Sequence, residues 1–294
     1  MPDLKLGRLP AQIPAGLRDL TYYAAGPLPQ APASVAVPSV ADWGLLANGP
    51  DPTCPAYPSG VGDCGIAGLE HGFMSAAADT GEPETAATAD QAVSYYFGYT
   101  GGQDSGVVLS QYLAYVRKNG YYGRSVAAYA PVPVQDIPTL TFAIDAYDFA
   151  YVGITVTQGM MDAAEGPGPW TWTAEDAQGP ALGGHCIILA GYDSNWLYGI
   201  SWGQVVRIAW PAWHQMGDEA WAVITGEYGS AGTDGHGISL AALQADLGRL
   251  AEAKAAPVDH KGLLEELAGF LRDCVSSGRN DTTEALAWLA SHGL

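Results

Sequence analysis

Basic residues are scarce in this chain of 294 residues. Twelve Lys and Arg, four of them Lys, stand against 31 Asp and Glu, and the net charge is −19. Neutralising a phosphate backbone takes clustered Lys and Arg, and the chain has no basic run, which argues against a nucleic-acid ligand. Cysteine is equally sparse: four residues are too few for a disulfide framework in a chain of this length. No apolar run reaches the roughly 18 residues a membrane-spanning helix needs. The start, Met1-Pro2-Asp3-Leu4-Lys5-Leu6-Gly7-Arg8-Leu9-Pro10, lacks the apolar centre of a signal peptide. These absences together predict a reduced, cytoplasmic setting. What is present is apolar: 48% of residues are hydrophobic and the mean hydropathy is +0.04, a composition that folds. The length fits one large domain, or one domain with an extension.

The most informative stretch is Gly183-Gly184-His185-Cys186-Ile187-Ile188-Leu189-Ala190-Gly191-Tyr192-Asp193. A continuous Ile- and Leu-rich run ending in Gly-Tyr-Asp reads as a buried strand. A histidine at its mouth is held rigidly, as a general base must be. Trp202 leads into a second strand-like run, Val205-Val206-Arg207-Ile208, which predicts a hairpin with the His strand. Upstream, Gly60-Val61-Gly62-Asp63-Cys64-Gly65-Ile66-Ala67-Gly68 sets a cysteine after a glycine-rich turn and at the start of a small-residue helix. The unpaired amides of a helix N-terminus favour a thiolate and can hold a tetrahedral oxyanion. His185 lies 121 positions beyond Cys64, slightly short of the roughly 130–150 usual for a papain-type Cys and His. Because His185 and Cys186 point to opposite faces of their strand, no metal site is expected.

Asp42-Trp43, Gly62-Asp63-Cys64, Gly184-His185 with Gly191-Tyr192, and Ser201-Trp202-Gly203 follow in order. In that order they resemble the motifs of papain-like cysteine peptidases. The nearer resemblance is to a largely uncharacterised group of papain-like proteins encoded by bacteriophages and bacteria. That group carries a late strand matched here by Asp218-Glu219-Ala220-Trp221-Ala222-Val223, and the match runs over roughly residues 40–250. It implies an α+β, two-lobed fold with a helical N-terminal lobe and a C-terminal antiparallel-sheet lobe. It also implies a cysteine peptidase or amide hydrolase acting on a peptide or protein, with no cofactor. Cys64 would be the nucleophile, His185 the base, and Ser201 the residue that orients the His. Gly62, Asp63, Gly184 and Trp202 would line the oxyanion site and substrate cleft. Two positions depart from the pattern: Pro58 stands where the family has an oxyanion Gln, and Ile200 where it has the orienting Asn. That departure supports an alternative, a degenerate papain-fold structural protein such as a phage virion component. A transglutaminase-like or cell-wall endopeptidase-like acyl-transfer enzyme is a third possibility.

In chain order, residues 1–40 read as a proline-broken arm with apolar handles that must dock on its own body or on a neighbouring subunit; a papain-type propeptide is a third possibility, but the segment lacks the helical pattern expected of one. Residues 41–228 read as the papain-like domain. Within it, helices are predicted from Cys64, from the capping box Thr88-Ala89-Asp90-Gln91, over Val107–Asn119 and around Thr139–Tyr147. Strands are expected near Ser125–Tyr129 and over Phe149–Val156. His71 is expected to pack or face solvent. Gly159–Gly183 reads as a long loop whose Trp170-Thr171-Trp172 lines a cleft or a partner surface. Residues 229–294 read as a linker, with an exposed His236, followed by helices over Ser239–Lys254, Lys261–Ser276 and from Asp281. The apolar face of these last helices predicts docking within the protein or onto neighbouring subunits.

Overall fold

The computed structural model describes residues 4–81, 87–165, 168–226, 228 and 236–255. Contacts divide the chain into a unit over residues 1–251 and a second over 252–294. The helices expected over Lys261–Ser276 and from Asp281 lie outside the described residues.

A short 3-10 turn, Leu20–Tyr23, interrupts the arm. Helix α1, Cys64–Thr80, is buried over its first fourteen residues, so it reads as apolar and small on every side. A side chain at Gly72 would meet the Phe149 ring at 2.4 Å, so glycine sets how closely this helix approaches its neighbours. Helix α2, Ala89–Thr100, begins at a complete capping box: Thr88 Oγ1 accepts from the Gln91 amide, and Gln91 Oε1 accepts from Thr88. Helix α3, Leu109–Asn119, buries Leu109, Tyr112, Leu113 and Val116 and ends in Arg117 and Lys118, which suit its negative pole. These three helices make the N-terminal lobe.

The rest is built around a sheet. Strand β1 is Val126–Val132, helix α4 Ile137–Tyr147, strand β2 Ala150–Thr157 and helix α5 Gln158–Ala163. Strand β3 is Trp170–Trp172, β4 Ala181–Tyr192, β5 Trp196–Ser201 and β6 Gln204–Ala209. Helix α6 is Trp210–Met216, strand β7 Gly217–Thr225 and helix α7 Leu240–Ala255. The strand order is β1-β7-β2-β4-β5-β6-β3. Every pairing is antiparallel except β3 with β6. Both α1 and α4 pack on β4 and β2. That covering explains why the His strand carries a continuous apolar run with no polar alternation.

The arm docks on its own body. Val35 exchanges both backbone hydrogen bonds with Tyr192, Ala25 N–H donates to Gly237, and Ser239 N–H donates to Tyr23. The Tyr23 hydroxyl donates to Asp246 on α7 at 2.8 Å, and Ile238, Leu240, Leu243 and Leu247 join the core. Among the described residues no helix is long and apolar enough to cross a membrane.

Candidate active site

Cys64 is the first residue of α1 and is buried. The turn before it is tied down by Asp104, whose Oδ1 accepts from the Gly62 amide at 3.0 Å and from the Tyr96 hydroxyl at 2.8 Å. Asp63 occupies the N-cap position without capping. Both its carboxylate oxygens are buried without a hydrogen-bond partner, and burial holds its pKa well above the usual range.

His185 sits on β4, whose backbone approaches Cys64 directly: the Cys186 amide donates to the Cys64 sulfur. The thiol therefore lies within one residue of His185 along the strand. Ser201 Oγ lies 3.0 Å from His185 Nε2, and Nδ1 has no partner. With Nε2–H given to Ser201, Nδ1 is the bare nitrogen available to take a proton.

A two-residue turn, Trp202-Gly203, joins β5 to β6. Both residues have positive φ, 47° and 70°, as a type I′ hairpin turn requires. For a tryptophan that conformation is strained. It lays the Trp202 indole flat on the His185 imidazole, centroids 4.1 Å apart and 15° between planes. Trp170 and Trp172 buttress Trp202 edge-on, each with a centroid distance of 6.3 Å. One hairpin thus delivers both the partner of His185 and its cover.

No protein-family model and no curated protein matches the chain. Among solved structures it is similar to xylellain, a cysteine protease from Xylella fastidiosa. The TM-score is 0.50 and the identity 13%, over 76% of this chain and 97% of that one. It is also similar to digestive procathepsin L 3 of Tenebrio molitor larval midgut, with a TM-score of 0.44 and 16% identity over 76% of each chain. The first likeness decides the architecture. The chain has the papain-like fold.

In this papain-like fold the start of the arm runs past Cys64. Val107 N–H donates to Gly7 at 2.8 Å, Leu9 N–H to Val107 at 2.8 Å, and Arg8 N–H to Gly184 at 3.1 Å. Trp202 Nε1–H donates to the Lys5 carbonyl at 3.2 Å. The Gly7 amide itself donates to the Cys64 sulfur. A side chain at Gly7 would come within 1.7 Å of the Gly62 carbonyl, so only glycine passes here.

Cys64 and His185 are both buried, and that governs their protonation. Burial pushes the Cys64 thiol up to about 12; the Cys186 and Gly7 amides and Arg8 pull it down, while the Asp63 charge pushes it up. Burial takes His185 down to about 3, with the Arg8 and His71 charges acting the same way. The thiolate expected from the helix N-terminus alone is therefore not the resting form. Desolvation outweighs the helix amides while the arm is in place.

The contacts bring His185, Ser201 and Trp202 together, set the Gly62–Cys64 turn beside Gly7 and Gly184 beside Arg8, and three readings change. The Trp170–Trp172 segment is a buried edge strand in place of a loop. His185's strand pairs on that side with Trp196–Ser201, and Val205–Ile208 lies one strand further out. His236 packs edge-on against Phe142 and Tyr147 in place of facing solvent. His71 is buried beside Trp43, with Nε2 3.1 Å from the Gly44 carbonyl. Cys54, Cys64 and Cys186 are all free thiols. Among the described residues no cluster of His, Cys, Asp and Glu is arranged to hold a metal. Sequence reasoning missed Arg8, Asp218 and Glu219. The last two stood in a quoted motif, but nothing there tied them to a cation.

Proposed function

We propose that this protein is a papain-type cysteine peptidase or amide hydrolase whose own N-terminal segment keeps it latent. The observation that carries the reading is the set of His185 partners. Nε2 is held by Ser201, Nδ1 is unpartnered, and the strand amide next to the imidazole binds the Cys64 sulfur. Nδ1 takes the thiol proton, the sulfur attacks the amide carbon, and the oxygen becomes an oxyanion. The Cys64 amide at the start of α1 stabilises that charge. His185 then gives its proton to the departing amine, leaving a thioester. Water, deprotonated by the same nitrogen, hydrolyses it and restores the thiol. Pro58 supplies no oxyanion donor, and losing one such donor costs about 10²–10³ in rate. Ile200 is buried and cannot orient the imidazole; Ser201, one residue on, takes that place.

The second reading, a structural protein that retains the fold, rests on Pro58, Ile200 and the uncharged resting pair. Alkylation of Cys64 against pH separates the two. The arm-bound chain reacts slowly with iodoacetamide at pH 7. Gly7→Val forces the arm off Gly62, admits water and makes Cys64 react faster than an ordinary thiol. Adding His185→Ala abolishes the gain. A Gly7→Val chain that labels no faster than free cysteine, with or without His185, sinks the hydrolase.

A further inference from the structure

Beside the dyad, β7 presents two consecutive acidic residues to the cleft, and the arm fills the space with a guanidinium. Arg8 pairs with Asp218 through Nη2 and with Glu219 Oε1 through Nη1 at 3.2 Å. Its side chain is 6% exposed and that of Glu219 2%. Both carboxylates are held independently of Arg8: Thr155 Oγ1 donates to Asp218 at 2.7 Å, and Trp221 Nε1 donates to Glu219 Oε2 at 2.9 Å. Without Arg8 the pair would remain in position, with Glu219 Oε1 buried and bare. A buried carboxylate in that state is costly, so the site favours a cation over an apolar side chain.

The walls suit an arginine. A side chain at Gly153 would meet Arg8 Cδ at 2.5 Å, and one at Gly184 would meet Arg8 Nε at 2.9 Å. Two glycines thus clear the path for a long, flat side chain. The Gly184 carbonyl that receives the Arg8 amide is the residue before His185, and Gly7, next to Arg8, lies on the Cys64 sulfur. Whatever side chain enters this pocket is one residue away from the residue at the nucleophile. Arg8 and Asp218 also line a cavity of about 470 Å³, together with Pro10, Ala11, Thr155 and Gly184.

We infer that Asp218 and Glu219 form a specificity pocket for arginine in the substrate, adjacent to the residue at Cys64, which Arg8 occupies in the latent chain. This assignment rests on the hydrolase reading for the word substrate, but its ligand chemistry can be tested without turnover. The full-length chain carrying Gly7→Val, Arg8→Ala and Cys64→Ala, in which the arm no longer covers the site, is titrated calorimetrically with acetyl-Arg-Gly-methylamide, its Lys analogue and its Leu analogue. The arginine peptide binds at least about 10-fold more tightly than the leucine peptide, as charge-assisted hydrogen bonds predict. The lysine peptide falls between them, since a point charge cannot meet two carboxylates in a fork. Glu219→Gln and Asp218→Asn each shrink the preference. Equal binding of the arginine and leucine peptides, or binding of neither by a folded protein, overturns the inference.

Hydrolysis is measured separately, with fluorogenic peptides on the full-length Gly7→Val chain that keeps Cys64. Arginine-selective binding without hydrolysis removes the enzyme and leaves the pocket. Hydrolysis indifferent to arginine removes the pocket and leaves the enzyme.

Discussion

On the hydrolase reading Ser201 is the residue that orients His185, and removing its hydroxyl has a calculable cost. Its oxygen sits 3.0 Å from His185 Nε2, both residues are buried, and Trp202 closes the face of the ring. Removing the hydroxyl leaves a buried N–H without an acceptor, worth about 1–3 kcal/mol. At tenfold per 1.4 kcal/mol, Ser201→Ala lowers kcat in the Gly7→Val chain by about 5- to 140-fold. KM stays nearly unchanged, because the imidazole and not the peptide has lost a partner. Steady-state kinetics on a fluorogenic peptide checks this. Undiminished kcat would mean the imidazole is oriented by Trp202 alone. Ser201 was legible as a candidate only because it follows the position that should have carried an amide. Arg8 was not legible at all, since its partners are 210 and 211 residues away.

At the scale of elements, the patterns that could be read are those written locally. The Thr88–Gln91 capping box, the glycine-rich turn before Cys64 and the apolar run around His185 each lie within a dozen residues, and each became the expected element. Strand β3 has three residues and no period to read; it exists because β6 offers an edge. The arm likewise takes its conformation from Val107 and Gly184, so its prolines marked only what it could not be. The small strand matters more than its length implies. Trp172 is fully buried, donates from Nε1 to the Met160 carbonyl at 3.0 Å and props Trp202 in its strained turn. Trp172→Ala costs about 3–5 kcal/mol, the usual range for emptying a buried aromatic site. Trp172→Phe recovers most of the packing but not the hydrogen bond. Urea unfolding of the three proteins should rank them wild type, Phe, Ala. A loss under about 1 kcal/mol for Ala would show that β3 hangs on the sheet without supporting the hairpin.

At the scale of the whole molecule, burial favours the neutral forms of His185, His71 and Glu70, and histidines and carboxyls pull stability in opposite directions with pH. Burial lowers His185 to about 3 and His71 to about 4; backbone contacts at Gly44 and Trp43 and the charge of Asp42 act the other way on His71. An unfolded histidine binds its proton near 6.5. Between about 6.5 and 4 the unfolded chain therefore holds more protons, and these two residues make stability fall as pH falls. Glu70 behaves oppositely. Burial raises it to about 7, although its Oε1 accepts from the Ala87 amide at 2.7 Å and Arg124 favours its charge. Its contribution is complete below about 4.3 and is lost as pH rises toward 7. The two kinds of group overlap between about 4.3 and 6.5, so the wild-type profile alone cannot show either. Relative to wild type, His71→Gln makes the thermal midpoint decline more steeply as pH rises across that window, and Glu70→Gln tilts it the other way. Calorimetric midpoints at half-unit pH steps decide this. Parallel profiles for all three proteins would mean that His71 and Glu70 keep their solution affinities for protons, and that water reaches the core around α1.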